Sequence, residues 1–373
     1  AYLSARNIDG WAYDLKPRII DLSTRNVGTL TLEPLDSCKS LKWDSDGVLY
    51  ITLKKTKQII ERNGREGSNF NFSFGNIKAF DKIENHIVVI GSNLNKPEEI
   101  YLYIDNELKW GSSYNKSTKH GKAVRTTVES WSYDGNKLDG LLTFPDNYYE
   151  DKEYPLVVFV HGGPADNWTE KYVGYPYVVP IENLSARGFF IFRPNPRGSS
   201  GYGLEFRRSI INKWGDSDIR DIKSGIDFII EEYKIEQNSI SIAGWSYGGY
   251  LGAMAIARYP SLFKRAFLGA PITDLSSFMR TTIKKGLVES YMGNDENHLK
   301  RSSPTNYVSN VTSEVLLMHA LNDLVVPYEQ SLRYYNKLRD LVNVKINPSL
   351  TKSELQFGHL SQAPKHMSKL QSI

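Results

Sequence analysis

The stretch from Ser239 to Tyr250 constrains this chain more than any other. It opens as an apolar run, Ser239 to Ala243, and closes in small residues that start a helix. Between them stands Gly244-Trp245-Ser246-Tyr247-Gly248. Strand, Gly-x-Ser-x-Gly and helix, in that order, is the pattern of a nucleophile elbow. The turn is so sharp that strand and helix nearly touch, and Gly244 and Gly248 carry no Cβ to collide there. Ser246 at the apex is then held in strained backbone geometry with its hydroxyl clear of the sheet. A chance Gly-x-Ser-x-Gly in a glycine turn would need neither the strand before it nor the apolar helix of Leu251, Met254, Ala255 and Ile256 after it.

The region around the elbow alternates strand and helix. Thr126 to Ser130 and Gly140 to Phe144 read as an opening hairpin around Asp134-Gly135-Asn136. Pro155 to Val160 is an apolar run suited to a central parallel strand. A helix is expected before Gly188, a strand over Phe189 to Phe192, and an amphipathic helix over Ser217 to Tyr233. In that helix Ile219, Ile222, Ile226, Ile229, Ile230 and Tyr233 share one face. After the elbow come strands at Ala266 to Leu268 and Val315 to Met318, a helix from Glu329 to Leu341, and a strand from Val344 to Ile346. Such alternation predicts an α/β fold, a doubly wound, mostly parallel sheet with its functional residues beyond the carboxyl ends of the strands.

A serine hydroxyl is a weak nucleophile at neutral pH; it needs a base, and the base needs an orienting acid. In elbow-type hydrolases the order along the chain is Ser, acid, His. His298, His319, His359 and His366 follow Ser246. The strand Val315 to Met318 runs into His319-Ala320-Leu321-Asn322-Asp323, which places Asp323 just past a strand end. Asp274 and Asp295 are weaker acid candidates because neither directly follows a strong strand. Only His359 and His366 come after Asp323. His359 follows Gly358 in an expected loop, whereas His366 reads as a surface residue on a helix, so His359 is taken as the base. His319 precedes the acid and reads as a histidine packed near the site. For the oxyanion, Tyr247 N–H supplies one donor. The glycines of His161-Gly162-Gly163-Pro164, at the end of the central strand, let a second N–H approach.

The first 125 residues differ. Strands are expected at Arg18 to Leu22, Thr29 to Leu32, Val48 to Leu53, Gln58 to Glu61, Ile87 to Ile90 and Ile100 to Ile104. Leu41-Lys42-Trp43-Asp44 ahead of Val48 to Ile51 is echoed by Lys78-Ala79-Phe80-Asp81 ahead of Ile87 to Ile90. Trp43 and Phe80 stand 37 positions apart, near the period of a four-stranded propeller blade. An ordinary antiparallel sheet fits the same signal. About three blades of that period fit before residue 125, and a propeller typically needs at least four to close.

Charge is mixed, 46 basic against 42 acidic residues, which argues against a nucleic-acid partner. The dense basic patch Lys54-Lys55-Thr56-Lys57 reads as a solvated strand edge. One cysteine, Cys38, excludes an intrachain disulfide and leans to a reducing, cytoplasmic compartment. No signal peptide or membrane-spanning run is evident. The chain does not begin with Met and ends inside an expected helix, so both ends read as cut.

With these residues in hand, the chain resembles the prolyl oligopeptidase family of serine peptidases, particularly its acylaminoacyl-peptidase and dipeptidyl-peptidase IV branches. The landmarks are His161-Gly162-Gly163-Pro164, Arg193 to Gly203, Gly244 to Tyr250, Ala270-Pro271, Asn322-Asp323 with Val326-Pro327, and Gly358-His359. The resemblance implies an α/β-hydrolase domain over residues 126–373 with Ser246, Asp323 and His359 as its triad. It also implies a partial β-propeller of two to three blades over residues 1–125. It gives Gly163, beside Gly162 and with Tyr247, to the oxyanion hole. Ile272, Leu275, Phe278 and Val326 become walls of an apolar pocket for the residue preceding the scissile bond. Val325 stands where many relatives carry Arg or Asn to contact the substrate backbone, and it cannot hydrogen-bond through its side chain. The dipeptidyl branch has tyrosine where His161 stands and tryptophan where Leu275 stands, so strict proline selectivity is not implied. The expected activity is hydrolysis of short peptides through an acyl-enzyme, with no metal or organic cofactor. A serine esterase on the same fold and a non-catalytic binding scaffold are the alternatives. Relatives form dimers, and nothing in this sequence establishes a homo-oligomer.

Overall fold

A computed structural model describes residues 2–6, 14–29, 38–44, 47–63, 72–116, 124–173 and 179–349. Ahead of residue 125 its strands form three antiparallel sheets. The first joins β1 (Tyr2–Arg6), β2 (Asp14–Ile20) and β3 (Val27–Thr29). The second joins β4 (Cys38–Asp44), β5 (Gly47–Lys54), β6 (Lys57–Asn63) and β7 (Ser73–Phe74). The third joins β8 (Asn76–Ile83), β9 (His86–Asn93), β10 (Lys96–Ile104) and β11 (Glu107–Gly111). The second and third sheets share a core of Leu49, Ile51, Ile60, Phe74, Ile77, Phe80, Val89 and Tyr101. Within it Phe74 lies 5.1 Å from Tyr101, ring to ring. The first hairpins of these two sheets turn at equivalent pairs, Asp44 with Gly47 and Ile83 with His86. The hairpins therefore repeat at Asp44 and Ile83, 39 positions apart, and Trp43 is matched by Lys82 rather than by Phe80. Exposure agrees, since Trp43 faces solvent and Phe80 is buried. The basic patch is a hairpin tip and not a strand edge. Lys55 and Thr56 form the turn between β5 and β6, Lys54 pairs with Glu61, and Thr56 Oγ1 donates to Glu170 at 2.7 Å.

From Thr126 the described residues build an eight-stranded mixed sheet. In chain order its elements begin with β12 (Thr126–Tyr133), β13 (Asn136–Thr143) and β14 (Tyr154–Val160), then α1 (Ile181–Ala186) and β15 (Phe190–Asn195). Helices α2 (Leu204–Arg208) and α3 (Ser217–Glu232) precede β16 (Ile235–Trp245), α4 (Tyr247–Arg258) and β17 (Arg265–Gly269). Three short helices, α5 (Leu275–Thr281), α6 (Lys285–Met292) and α7 (Glu296–Arg301), come before β18 (Glu314–Ala320), α8 (Glu329–Leu338) and β19 (Val344–Ser349). The sheet order is β12-β13-β15-β14-β16-β17-β18-β19. β12, β13 and β15 pair antiparallel, and every other neighbour is parallel. The hairpin β12–β13 turns on Asp134 and Gly135, at φ 50° and 73°, the two positive values of a type I′ turn. All of β15 and nearly all of β14 are buried, as parallel strands covered on both faces must be. The α3 isoleucines 219, 222, 226 and 229 are buried, and Trp131 of β12 packs on Phe192 and Phe228. Helix α4 is buried on every side from Tyr247 to Ala257, as its low polarity requires. Successive strands β15 and β16 lie on opposite sides of β14, so the winding direction reverses there. A crevice beyond the carboxyl ends of strands at such a point is where open α/β sheets place their sites.

The chain divides into two compact units. One comprises residues 1–125, 169–176 and 200–208; the other comprises 126–168, 177–199 and 209–373. After Arg125 the chain thus returns to the first unit twice. Among the described residues no helix is long and apolar enough to cross a membrane.

Candidate active site

Ladder register brings four loops to one end of the sheet. Val160 pairs with Gly244, Trp245 with Gly269, and Gly269 with Met318. The loops that follow β14, β16, β17 and β18 therefore leave from adjacent strand ends. Ser246 lies at the second of these ends with φ 57° and ψ −119°, a conformation that costs a non-glycine residue on the order of 1–3 kcal/mol. Two backbone bonds hold it there: Ser246 N–H donates to Gly269 O at 2.8 Å, and Ser246 O accepts from Tyr250 N–H at 2.9 Å.

The flanking glycines are steric requirements. A Cβ on Gly244 would lie 2.3 Å from Gly248 O, and one on Gly248 would lie 2.3 Å from Val160 O. Both obstacles are backbone atoms of packed elements, so neither can move aside cheaply. Gly248→Ala is expected to push α4 off the end of β14 and displace Ser246. For a nucleophile at this position, a 1 Å error costs about two orders of magnitude in rate. Turnover measured beside circular dichroism should show that loss with secondary structure retained, and near-normal turnover would contradict the steric argument.

Tyr247 is buried. As the first residue of α4 it has no intrahelical acceptor for its N–H, and the helix dipole places positive potential at that end. Gly162 lies against the elbow: a Cβ there would sit 3.4 Å from Trp245 O and 3.9 Å from Ser246 Cβ. Gly163 has φ +121°, and its Cβ would lie 2.4 Å from Ala165 N, so this turn admits only glycine. His161 is buried, which holds its imidazole below the ordinary range against the opposing field of Asp166. Its Nδ1–H donates to Gly162 O at 2.8 Å, and Nε2 lies 2.8 Å from Ser199 Oγ.

Asp323 is buried at the end of β18. Its Oδ1 accepts the N–H groups of Val325 and Val326 at 2.8 and 2.9 Å, which fixes the carboxylate plane. His319 is packed beside it. Nε2–H donates to Val326 O and Nδ1 accepts from Ser331 Oγ, both at 2.7 Å. Asp323 Oδ2 is 3.9 Å from that Nε2, beyond hydrogen-bond range. Asp274 and Asp295, the weaker acid candidates, are helix caps: Asp274 accepts from Ser277 N–H at the start of α5, and Asp295 from His298 N–H at the start of α7. His359 lies outside the described residues. β19, the strand that precedes it, runs parallel to β18, with His319 opposite Pro348 and Ala320 opposite Ser349.

Ile272, Leu275, Phe278 and Val326 are all buried. The segment carrying the first three is tied to the Asp323 loop and to the start of α8. Gln330 Oε1 accepts from the N–H groups of Thr273 and Asp274 at 3.0 and 2.9 Å, and Thr282 Oγ1 donates to Val325 O at 2.6 Å. Neither buried Gln330 nor buried Asp218 was indicated by the sequence pattern. The available signal was a polar residue among the inward positions of an amphipathic helix.

An eight-stranded mixed sheet, a strained serine on a strand-to-helix turn and a buried carboxylate two strands along define the α/β-hydrolase class. The sequence model of the prolyl oligopeptidase family matches residues 179–372, more than half of the chain. The chain belongs to the prolyl oligopeptidase family. It is similar to the acylamino-acid-releasing enzyme of Mus musculus, 28% identical over 57% of this chain and 30% of that protein. It is also similar to the uncharacterized peptidase YuxL of Bacillus subtilis (strain 168), 24% identical over 88% of this chain and 50% of that protein. Dipeptidyl peptidase 8 of Mus musculus is 33% identical over 46% of this chain and 19% of that protein. The chain thus spans half or less of these relatives. Among solved structures, an acylaminoacyl peptidase in complex with Z-Gly-Gly-Phe-chloromethyl ketone has a TM-score of 0.78 at 24% identity, covering 93% of this chain and 56% of that one. The Pyrococcus horikoshii acylaminoacyl peptidase has a TM-score of 0.77 at 24% identity with the same coverage. Both likenesses are of fold.

Proposed function

We propose that this chain carries the catalytic machinery of a serine peptidase that hydrolyses short peptides, of acylaminoacyl-peptidase or oligopeptidase type. The observation that carries the reading is the strained Ser246 elbow, with the Gly162–Gly163 turn on one side and the anchored Asp323 carboxylate on the other. His359 takes the Ser246 proton while Asp323 accepts the other imidazole N–H and holds the tautomer. Ser246 Oγ attacks the scissile carbonyl carbon, and the N–H groups of Tyr247 and Gly163 receive the oxyanion. His359 returns the proton to the leaving amine as the C–N bond breaks. Water, deprotonated by the same histidine, then releases the acyl group and restores the hydroxyl.

Ile272, Leu275, Phe278 and Val326 form an apolar wall for the residue before the scissile bond in this reading. A phenylalanine adjoins the reactive group in the ligand named for the similar acylaminoacyl peptidase, which is in keeping with such a wall. The four-stranded meanders β4–β7 and β8–β11 are read as propeller blades, and the buried thiol of Cys38 suits a cytoplasmic setting. Esterase activity is favoured over peptidase activity only by Val325, whose side chain offers no hydrogen bond to a peptide backbone; kcat/KM on matched amide and ester substrates separates the two.

The test is fluorophosphonate labelling with peptide mapping and a Ser246→Ala control. Labelling is expected at Ser246 alone. Well-folded protein that takes no label, or a Ser246→Ala variant that keeps its turnover, would overturn the assignment.

A further inference from the structure

A second carboxylate lies behind the elbow, and the reaction scheme above does not use it. Asp218, in the first turn of α3, is fully buried. Its Oδ2 accepts Tyr247 O–H at 2.5 Å and Gly215 N–H at 3.2 Å, and its Oδ1 accepts Ile219 N–H at 2.8 Å. Aromatic rings close around the pair. Trp214 meets the Tyr247 ring edge-on at 4.8 Å, and Tyr250 lies 5.4 Å from it. Tyr250 is pinned in turn by donating its hydroxyl to Ser302 O at 2.9 Å. Gly215 lets the loop come this close: its φ is +73°, and a Cβ there would lie 2.4 Å from Tyr250 Oη. Burial pushes the Asp218 carboxyl up to about 7, in spite of the Tyr247 hydroxyl and the two N–H groups that favour its charged form. Keeping a carboxylate away from water costs free energy, which its three hydrogen bonds offset in part.

What they hold is the residue after the nucleophile. The ψ of Ser246 sets the plane of the Ser246–Tyr247 peptide, and that plane aims the Tyr247 N–H. At φ 57° and ψ −119° the backbone is strained, and it could relax by rotating this peptide. The bond from Tyr250 N–H to Ser246 O resists the rotation at the carbonyl end, and a Tyr247 side chain fixed at its hydroxyl resists it from the other. We infer that Asp218 is a positioning residue for the oxyanion hole, acting through the Tyr247 hydroxyl to keep the Tyr247 N–H aimed at the oxyanion. The inference rests on the serine-peptidase reading of the site. Asn cannot replace Asp218, because both carboxylate oxygens face N–H donors and an amide NH₂ would have to oppose one of them.

The experiment compares Asp218→Asn, Tyr247→Phe and the double variant with the parent chain. The probes are an N-acetyl-phenylalanine p-nitroanilide substrate and a peptide boronic acid with phenylalanine in the same position. Fluorophosphonate titration counts competent sites, so each kcat is expressed per site. Loss of a whole oxyanion donor costs about 10²- to 10³-fold in kcat, so misaiming one is expected to cost roughly 10- to 100-fold. KM should change less than about twofold, boronate affinity should fall by the factor seen in kcat, and the double variant should be no worse than the poorer single one. Normal kcat per titrated site in Tyr247→Phe would overturn the inference even if Asp218→Asn fails to fold, because a purely structural bond would reduce only the number of folded molecules. Equal losses in kcat and in substrate affinity would overturn it too. A parent chain that neither labels nor turns over would instead overturn the peptidase reading, which keeps the two failures distinct.

Discussion

With Asp323 as the proposed triad acid, Asp323→Asn is expected to lower kcat by about 10⁴-fold while leaving the fold and KM nearly unchanged, the scale seen when the triad acid of a serine peptidase loses its charge. The geometry gives the reason. Oδ1 accepts from two backbone N–H groups, Val325 and Val326. An asparagine placed here keeps its carbonyl oxygen on those donors, because its NH₂ group could only oppose them. The NH₂ is then turned to the side from which the carboxylate would receive the His359 N–H. In the proposed mechanism two donors would then face each other, the imidazole would adopt the other tautomer, and His359 could no longer take the Ser246 proton. Because the loop's hydrogen bonds survive, thermal stability should change little. Steady-state turnover and differential scanning calorimetry check the two halves separately. A variant within tenfold of the parent kcat would remove Asp323 from the mechanism.

Arg197→Met is expected to cost about 3–5 kcal/mol of stability, the usual penalty for leaving one buried charge without its partner. Asp221 is wholly buried on α3, and Arg197 nearly so. The guanidinium engages the carboxylate with Nε at 2.9 and 3.1 Å and with a terminal nitrogen at 2.7 Å, and Arg197 N–H adds a fourth bond at 2.8 Å. The other terminal nitrogen donates to Asp134 at 2.7 Å in the β12–β13 turn, where exposure to water screens the attraction. Methionine fills most of the volume but strands Asp221. The midpoint of thermal unfolding should fall by on the order of 10 °C. The double variant Arg197→Met with Asp221→Leu should recover most of the loss, since an apolar pair carries no desolvation penalty. A single variant that loses less than about 1 kcal/mol by denaturant titration would show that Asp221 is not held as a charge.

The elbow was legible because its geometry tolerates so few residues. With backbone atoms 2.3 Å from the missing Cβ positions of Gly244 and Gly248, the constraint is written in the residue types themselves. Asp323 was legible as a candidate through its position just past the end of the strand Val315 to Met318, together with the requirement for a later histidine. The central strands stood out because burial on both faces leaves an unbroken apolar run at Leu156 to Val160. β11 could not be seen, since every residue from Glu107 to Gly111 is exposed and alternation appears only when one face is covered. The repeat reads two residues short in the sequence because Trp43 and Phe80 look alike as aromatics, yet one faces solvent and the other the core. The basic patch reads as a strand edge because charge alone does not separate a strand edge from a hairpin tip; the positive φ of Lys55 does. Asp218 and Asp221 were hidden among the isoleucines of α3, where the periodicity reports the apolar face and passes over the carboxylates within it.

The two returns of the chain to its first unit bear on how this protein can be divided. Glu170 receives the Thr56 hydroxyl at 2.7 Å and donates its own N–H to Thr56 O at 2.8 Å, while Gly201 O accepts from Lys55 N–H at 2.7 Å. Each bond joins a residue encoded before position 125 to one encoded after it, inside a single compact unit. A peptide-bond break between Arg125 and Thr126 would therefore leave the first unit made of segments from both fragments. A gene shortened to begin at Thr126 would leave residues 169–176 and 200–208 without the partners that complete their backbone bonding.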